Sequence, residues 1–266
     1  MQEVIKVGQL TKSYTQRAPR NACPVDVSSA GTRIKENQLK AVDNVSFSVG
    51  RGRVFGLLGA NGAGKSTTME CILGTKKADS GQISVLGMNP LTDRKKLFER
   101  VGIQFQETSY QEQITVGELC EVTASLYRNA ADPWDLLKRF GIADKKKSLV
   151  KDLSGGQRQR LFIILALISD PELVFLDELT TGLDAKARRE VWKILSELKE
   201  KGLTILLTSH FMDEVEALCD QICILKGGKT VFYGTVSEAV KTSPYGKFED
   251  AYLWYTDEEE QANENI

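Results

Sequence analysis

The chain has 266 residues, of which 41% are hydrophobic and 27% are charged, and its formal net charge is −1. This size and composition suit one sizeable α/β domain or two small ones, and the balanced charge disfavours a nucleic-acid partner. The N-terminus lacks a basic region followed by an apolar one, and the longest apolar run, Leu161–Ile168, is too short to cross a bilayer. We therefore expect a cytoplasmic chain without a membrane span.

Cysteine usage is consistent with a reducing compartment. The chain has five cysteines, an odd number, and no two of them form a Cys-x-x-Cys pair. We predict reduced thiols that serve mainly in packing, and no metal site at Cys219 and Cys223, because the chain has a single histidine.

Two segments near the N-terminus predict antiparallel strands. Glu3–Tyr14 and Ala41–Val49 alternate apolar and polar residues, and both are predicted as edge-type strands. Between them, Thr15–Gln38 contains prolines and a glycine without any periodicity, which predicts a loop or an inserted hairpin.

The next feature is a glycine-rich loop. The apolar run Val54–Leu58 leads directly into Gly59–Thr67, which fits the pattern Gly, four residues, Gly-Lys-Ser of a phosphate-binding loop. Lys65 would reach the β- and γ-phosphates and Ser66 would offer its hydroxyl to Mg²⁺; the alternative is an ordinary glycine-rich turn. The predicted nucleotide-binding residues here are Asn61, Gly62, Ala63, Gly64, Lys65, Ser66 and Thr67.

Three apolar runs without alternation predict strands buried on both faces of a parallel sheet. They are Val54–Leu58, Leu173–Leu176 and Ile205–Leu207. The phosphate loop follows the first, Asp177-Glu178 follows the second, and Thr208-Ser209-His210 follows the third. Ligands of open α/β sheets bind at the carboxyl ends of the strands, so these three groups are expected to converge on one nucleotide.

The region between the loop and Asp177 is predicted to be mostly helical. Leu91–Arg100, Val116–Arg128 and Pro133–Phe140 have helical spacing, while Val101–Gln106 resembles a strand. A further helix follows Leu153, and the Ser154-Gly155-Gly156 at its start predicts a second anion-binding helix terminus.

The last third of the chain predicts regular elements in quick succession. A helix runs from Asp184 to about Lys201, and another covers Phe211–Leu218. Gln221–Leu225 and Thr230–Tyr233 flank a Gly-Gly turn and predict a hairpin. Phe248–Tyr255 predicts a short helix, followed by an acidic tail.

The segment Leu153-Ser154-Gly155-Gly156-Gln157 adds a family resemblance. It lies shortly before an apolar strand that ends in Asp-Glu, with the phosphate loop upstream and a histidine after the next strand. In this order of motifs the chain resembles the ATP-binding subunit of an ABC transporter, and within that family the group that exports drugs, lipids or peptides.

The resemblance implies an α/β fold. The expected architecture is that of a P-loop NTPase with a RecA-like, mostly parallel core sheet, an antiparallel β-subdomain and a helical subdomain. The chain would form a single ATP-binding domain over residues 1–266, with 15–38 as an inserted loop or hairpin, about 107–165 as the helical subdomain and 257–266 as a frayed acidic tail.

Residue roles follow from the same resemblance, with ATP and Mg²⁺ as the implied cofactors. Lys65 and His210 would hold the γ-phosphate, and Glu178 would be the general base. The remaining implied roles are stacking on adenine for Tyr14, contact with Mg²⁺ and the attacking water for Gln106, Mg²⁺ association for Asp177, crossing of a dimer interface for Asp184, and nucleotide contact for Ser154, Gly155, Gly156 and Gln157.

Each role has a plainer alternative. Tyr14 and Gln106 are also compatible with ordinary strand-end residues, and Glu178 with a surface acid in a loop. A single histidine such as His210 is often a packed core residue, although its place directly after a buried strand favours the site.

The family resemblance also implies partners. Two ATP-binding subunits would pair head to tail, so that Ser154 and Gly156 of one close over the ATP held by Lys65 of the other. One chain has two predicted phosphate-binding helix starts but needs one per nucleotide, and a twofold dimer accounts for the surplus. The other implied partner is an integral-membrane permease, which would hold the subunit on the inner face of the cell membrane.

Two departures from the family pattern stand out. Leu179 occupies the place after Asp-Glu where a proline is common, which puts the stiffness of that turn in question. Thr15–Gln38 is longer than the usual link after the adenine-stacking residue. The leucine leaves the predicted chemistry unchanged. The insertion is compatible with a tolerated surface loop, with an altered adenine contact or with a site for a partner.

Two other functions are compatible with a phosphate loop. A soluble ABC-type ATPase that acts on DNA or the ribosome would carry a long coiled-coil insertion or a second cassette, whereas only 46 residues separate Gln106 from Leu153 and no second phosphate loop follows. A regulator that does not hydrolyse ATP would be expected to lose Glu178 or His210, and both are present.

Overall fold

A computed structural model describes residues 2–15, 38–104 and 110–256. The predicted insertion at 15–38, apart from its two end residues, and the tail at 257–266 lie outside the described residues, as do Gln106 and Cys23. The strands are β1 Glu3–Thr15, β2 Gln38–Gly50, β3 Val54–Gly59, β4 Ser80–Val85, β5 Val101–Gln104, β6 Leu173–Leu176, β7 Thr204–Leu207, β8 Gln221–Lys226 and β9 Lys229–Gly234.

The helices are interspersed among these strands. They are α1 Lys65–Ile72, α2 Arg94–Phe98, α3 Val116–Ser125, α4 Pro133–Arg139, α5 Gly155–Leu167, α6 Ala185–Glu200, α7 Met212–Leu218, α8 Val236–Thr242 and α9 Phe248–Thr256, with short 3₁₀ turns at Ala143–Lys145 and Val150–Asp152.

The smaller sheet is antiparallel and has the order β2-β1-β4. The prediction that β1 is an edge strand is wrong, because β4 pairs with it on the side away from β2. The sequence analysis missed β4, whose first half is exposed and polar and contains Gly81. That glycine has φ +100° and lies against Gln9, where a Cβ would come within 2.6 Å of the backbone oxygen.

The larger sheet has the order β5-β6-β7-β3-β8-β9. All pairs are parallel except the hairpin of β8 and β9, which is antiparallel. Every residue of β3, β6 and β7 is buried, as expected for strands covered on both faces. Because these three strands are adjacent, the segments that follow them emerge side by side at one edge of the sheet.

Helices cover the faces of this sheet. α3, α4 and α5 pack into one apolar cluster with β6 and β7, and α6 contributes Val191 and Leu195 to the same cluster. The helix predicted over Leu91–Arg100 is reduced to α2, and the sequence analysis missed α8. No described helix is long and apolar enough to span a membrane.

One carboxylate ties together the end of the sheet opposite the phosphate loop. Asp220 accepts hydrogen bonds from the backbone N–H of Val54 at 2.8 Å and from Lys199 Nζ at 2.7 Å, and Arg53 lies at 3.3 Å. Burial raises the pKa of Asp220, but the hydrogen bonds and the two cations outweigh burial and hold the pKa below its usual value. Asp220 thereby joins the start of β3, the end of α6 and the start of β8.

We predict that Asp220→Asn lowers the free energy of unfolding by about 1–2 kcal/mol at pH 7, because the lysine and arginine lose their counter-charge. Since the folded-state pKa is depressed, this stabilisation is present above the unfolded-state pKa and is lost as the pH falls through the folded-state value. Urea unfolding at pH 7 and below pH 4 measures the change. Asp144→Asn, at an exposed carboxylate beside Lys145, is the control; an equal effect of both variants would contradict the role given to Asp220.

Candidate nucleotide-binding site

The phosphate loop connects β3 to α1 and is shaped by two close backbone approaches. At Gly59 a Cβ would lie 2.4 Å from the backbone oxygen of Leu225, and at Gly64, with φ +101°, it would lie 2.3 Å from that of Ala41. The turn between β8 and β9 supports the loop from outside, since Gly228 N–H donates to the Ala63 carbonyl at 3.1 Å. Only glycine fits at both loop positions, and the loop is therefore held in one shape.

Lys65 lies at the first residue of α1, inside the curve of this loop. Its Nζ donates to the backbone oxygens of Gly59 at 2.7 Å and Ala60 at 3.1 Å. Burial lowers the pKa of Lys65, while the charges of Asp177 and Glu178 act in the opposite direction. The ammonium group is thus prepositioned at the helix terminus where phosphate oxygens would bind.

Asp177 and Glu178 follow β6 and are held by the segment after β7. Thr208 Oγ1 donates to Asp177 Oδ1 at 2.5 Å and accepts from the backbone N–H of Glu178 at 3.1 Å. Glu178 itself has φ +50°, in the left-handed region that costs a non-glycine residue about 1 kcal/mol or more. One buried threonine hydroxyl therefore fixes both acidic residues.

Glu178 and His210 are in direct contact. Glu178 Oε1 lies 3.0 Å from His210 Nε2, and the side chain of Glu178 is 19% exposed whereas that of His210 is 38% exposed. The predicted convergence of the segments after β3, β6 and β7 is thus present in the structure, with Lys65, Asp177, Glu178 and His210 at one edge of the sheet.

Tyr14 lies near the end of β1, at the periphery of this edge. Its hydroxyl is 3.5 Å from Thr67 Oγ1, and its ring has Lys76 Nζ at 5.2 Å and Lys12 Nζ at 5.8 Å from the centroid. The two lysines are themselves paired with Glu70 and Asp79. The ring is therefore placed beside the phosphate loop, and its role in stacking stays a prediction.

The second predicted anion-binding helix start is a capped helix terminus. Ser154 Oγ accepts from Gln157 N–H at 3.3 Å and Gln157 Oε1 accepts from Ser154 N–H at 3.1 Å, a capping box that leaves the serine O–H able to donate. Gly155 and Gly156 lie against Gly182 and Leu183 of the segment before α6. Asp184 caps α6 through Ala187 N–H at 2.8 Å. Among the described contacts, none joins Ser154–Gln157 to Lys65.

Comparison with known proteins identifies the family. The family profile described as ABC transporter matches residues 42–181, slightly more than half of the chain. The chain belongs to the ABC transporter family. This confirms the family assignment made from the motifs.

Two bacterial relatives are similar at the level of sequence. The fluoroquinolones export ATP-binding protein of Mycobacterium tuberculosis is 40% identical over 199 residues, which are 74% of this chain and 66% of the relative. The Nod factor export ATP-binding protein I of Mesorhizobium japonicum is 40% identical over 228 residues, which are 84% of this chain and 67% of the relative. The chain thus spans about two thirds of the length of these ABC proteins.

A solved structure supports the fold assignment. The dimeric post-hydrolysis state of an ATP-binding cassette bound to ADP and Pi matches with a TM-score of 0.71 at 22% identity, over 87% of this chain and 98% of that one. At this identity the likeness concerns the fold. The predicted P-loop NTPase architecture, with a mostly parallel sheet and an antiparallel one, is confirmed.

Three residues of this ABC cassette have contacts in the site that only the structure shows. Thr208 bridges the acidic pair, Gln159 donates its side-chain amide to the carbonyls after β6, and Glu214 is fully buried beneath the segment that carries His210. Gln159 and Thr208 bond to backbone atoms, which have no signature in the sequence.

Two described residues fit the expected Mg²⁺ chemistry. Ser66 is exposed at the start of α1 and the Asp177 carboxylate is half-buried after β6. No group of three or more His, Cys, Asp or Glu able to hold a metal occurs in the described parts of the chain. A hydroxyl and one carboxylate suit Mg²⁺, which usually retains waters and is shared with phosphates.

We predict that Thr208→Val lowers kcat for ATP hydrolysis about tenfold, equivalent to roughly 1.4 kcal/mol. The substitution preserves shape but leaves the Glu178 N–H without its acceptor and removes a donor from Asp177. Steady-state ATPase assays and ATP binding measurements test this, with binding expected to change much less than kcat. Thr230→Val, at a threonine hydroxyl 3.7 Å from Cys223 Sγ, is the control; equal kcat values for the two variants would contradict the prediction.

Proposed function

We propose that the protein is the ATP-hydrolysing subunit of a membrane transporter that works in the export direction. The observation that carries the proposal is the convergence at one sheet edge of Lys65, Asp177 and the Glu178–His210 pair, in a chain of the ABC transporter family. ATP hydrolysis requires these functions together: binding of phosphate, placement of a metal and activation of water.

Each residue of the site has a separate role in ATP hydrolysis. Lys65 binds the β- and γ-phosphates, and Ser66 and Asp177 hold Mg²⁺, with Gln106 as a further ligand from outside the described residues. Mg²⁺ supplies charge stabilisation to the phosphate oxygens when it is bound. Glu178 Oε accepts a proton from the attacking water, a general-base contribution of about 10²- to 10⁴-fold.

His210 orients the base and completes the pocket around the γ-phosphate. An Nε2–H tautomer donates to Glu178 Oε1 across the 3.0 Å contact and keeps the carboxylate from rotating away from the water. Tyr14 is proposed to stack on adenine from its place beside Thr67. The adenine and phosphate ends of ATP would then be bound by β1 and by the phosphate loop.

Closure of the site is proposed to come from a second copy of a cassette. Ser154, Gly155, Gly156 and Gln157 form a helix start at which Ser154 and Gly155 are exposed, and no described contact joins it to Lys65. A head-to-tail dimer brings this helix start to the ATP of the partner, with Asp184 at the interface. The matched post-hydrolysis cassette is itself a dimer.

The transported cargo belongs to a separate chain. The two relatives are named for cargos as different as fluoroquinolones and Nod factor, yet each is 40% identical to this protein. We therefore propose that an integral-membrane permease binds the cargo and places this subunit on the inner face of the membrane. Because both relatives are named as export proteins, neither a ribosome- or DNA-directed ATPase nor a non-hydrolysing regulator is favoured.

Glu178→Gln is expected to abolish turnover while ATP binding persists. The amide cannot accept the proton from water, and we predict a fall in kcat of at least about 10²-fold together with an ATP-dependent dimer detectable by gel filtration. Glu216→Gln, an exposed glutamate on α7, is the control and should leave kcat unchanged. Wild-type turnover in Glu178→Gln would show that the base is another group.

Ser154→Arg tests the composite site. The bulky cation at the helix start should block closure over the nucleotide held by the partner, so that ATPase activity falls by about tenfold or more while a single subunit retains its ATP affinity. Ser125→Arg, at the exposed end of α3, is the control. If ATP affinity of the monomer fell in parallel with activity, Ser154 would act within its own chain.

A further inference from the structure

The turn after β6 is held from two sides by side chains of other elements. On one side, Thr208 Oγ1 accepts from the Glu178 N–H at 3.1 Å. On the other, Gln159 Nε2 donates to the Leu179 carbonyl at 2.8 Å and to the Glu178 carbonyl at 3.3 Å. A non-glycine residue at φ +50°, such as Glu178, persists where its surroundings determine its conformation.

The chemistry of Gln159 matches this location. Its amide offers two N–H donors, and it meets two backbone carbonyls that belong to successive residues. A carboxylate at the same place would face two oxygen acceptors, and an aliphatic side chain would leave both carbonyls without this donor. Leu179, in the position where proline is common in the family, has a fully buried side chain, so the turn is anchored by an apolar contact and by the Gln159 amide.

Gln159 shares a helix with Ser154. It lies in the second turn of α5, five residues after the serine that caps the helix, a separation of about 7–8 Å along the axis. The first turn of α5 also contacts the segment that follows the Glu178 turn, since a Cβ at Gly156 would lie 3.2 Å from Leu183 Cδ2. The helix start and the contact with the Glu178 turn thus belong to one helix.

The contacts that run from Ser154 through α5 and Gln159 end at the carboxylate of Glu178. Glu178 Oε1 contacts His210 Nε2 at 3.0 Å, and rotation of the peptide bonded by Gln159 would redirect the Cα–Cβ bond of Glu178 and hence the carboxylate. The distance from Ser154 to Glu178 is therefore bridged by one helix, one side-chain amide and one strained turn, all within a single chain.

We infer that Gln159 is a positioning residue that couples α5, the helix capped by Ser154, to the general base Glu178 of the same chain. Ser154 of this chain engages the nucleotide held by the partner subunit, and Gln159 then sets Glu178 for the nucleotide held by its own Lys65. The two sites of the dimer are coupled through this contact. The inference deepens the proposed function and rests on it.

The direct test is Gln159→Met in the 266-residue chain. Methionine matches glutamine in length and flexibility but has no N–H donor. We expect kcat for ATP hydrolysis to fall about tenfold, the ATP affinity to stay within about twofold, and the Hill coefficient for ATP to move toward one.

The matched control is Arg160→Met on the same helix. Arg160 also donates to a backbone carbonyl, that of Phe140 at 3.0 Å, and pairs with Glu190 at 3.1 Å, whereas no described bond joins it to the Glu178 turn. We expect this variant to lose thermal stability and to keep kcat and the Hill coefficient of the wild type. Thermal unfolding of both variants establishes that they are folded under assay conditions.

Gln159→Glu provides a readout that a merely structural role would not change. When ionised, the introduced carboxylate has no donor for the two carbonyls, whereas its protonated form has an O–H donor. The ratio of its kcat to that of Gln159→Met should therefore rise as the pH is lowered from 8 to 6.

The outcomes separate the inference from the proposed function. A folded Gln159→Met protein with the kcat and Hill coefficient of the wild type overturns the role of Gln159. An equal loss of kcat in Arg160→Met overturns it as well. In both cases, ATP hydrolysis by the wild type leaves the proposed function intact. Absence of ATP hydrolysis by the wild type would instead overturn the proposed function.

Discussion

The parallel pairing of β6, β7 and β3 is the constraint on which the site depends. These strands are completely buried and adjacent, so the segments that leave their carboxyl ends have one edge of the sheet in common. Thr208, which follows β7, bonds to both acidic residues that follow β6. The register between β6 and β7 thus sets the geometry of the Asp177–Glu178 pair. A shift of β7 against β6 would move the Thr208 hydroxyl away from both acidic residues.

The same edge is also where the protein places its energetically costly features. Lys65 is partly buried with a lowered pKa, and Glu178 has a left-handed backbone conformation. Neighbouring backbone lies so close to Gly59 and Gly64 that neither position has room for a side chain. Strain of this kind persists only where packing elsewhere offsets it, and the buried core on both faces of the sheet supplies that packing. At the opposite end of the strands, the Asp220 cluster joins β3, α6 and β8 and stabilises the scaffold without taking part in the chemistry.

Much of this arrangement was predictable from the sequence, for identifiable reasons. Continuous apolar runs specify buried parallel strands, and the glycine pattern around Lys65 specifies the loop, because both depend on local composition. The central place of β1 was not predictable, since β4 has a weak, half-polar pattern interrupted by Gly81. The contacts of Gln159 and Thr208 were equally hidden, because each bonds to backbone atoms of residues distant in the chain. Gln106, the insertion and the acidic tail remain sequence predictions.

We propose that each phosphate loop forms only half of a working site, and mixing two inactive variants is the sharpest test. In a dimer of one Lys65→Ala chain and one Ser154→Arg chain, both defects fall in the same composite site and the other site is intact. Mixing equal amounts should restore ATPase activity above that of either variant alone, up to roughly one quarter of the wild-type rate, since about half of randomly formed dimers are mixed and each has one intact site. The rate should lie below this limit, because the chain that holds the nucleotide of the intact site carries the Ser154 substitution and its Glu178 is not set through Gln159. Mixed dimers that form, as shown by cross-linking, yet hydrolyse no more ATP than either variant alone would contradict the composite site.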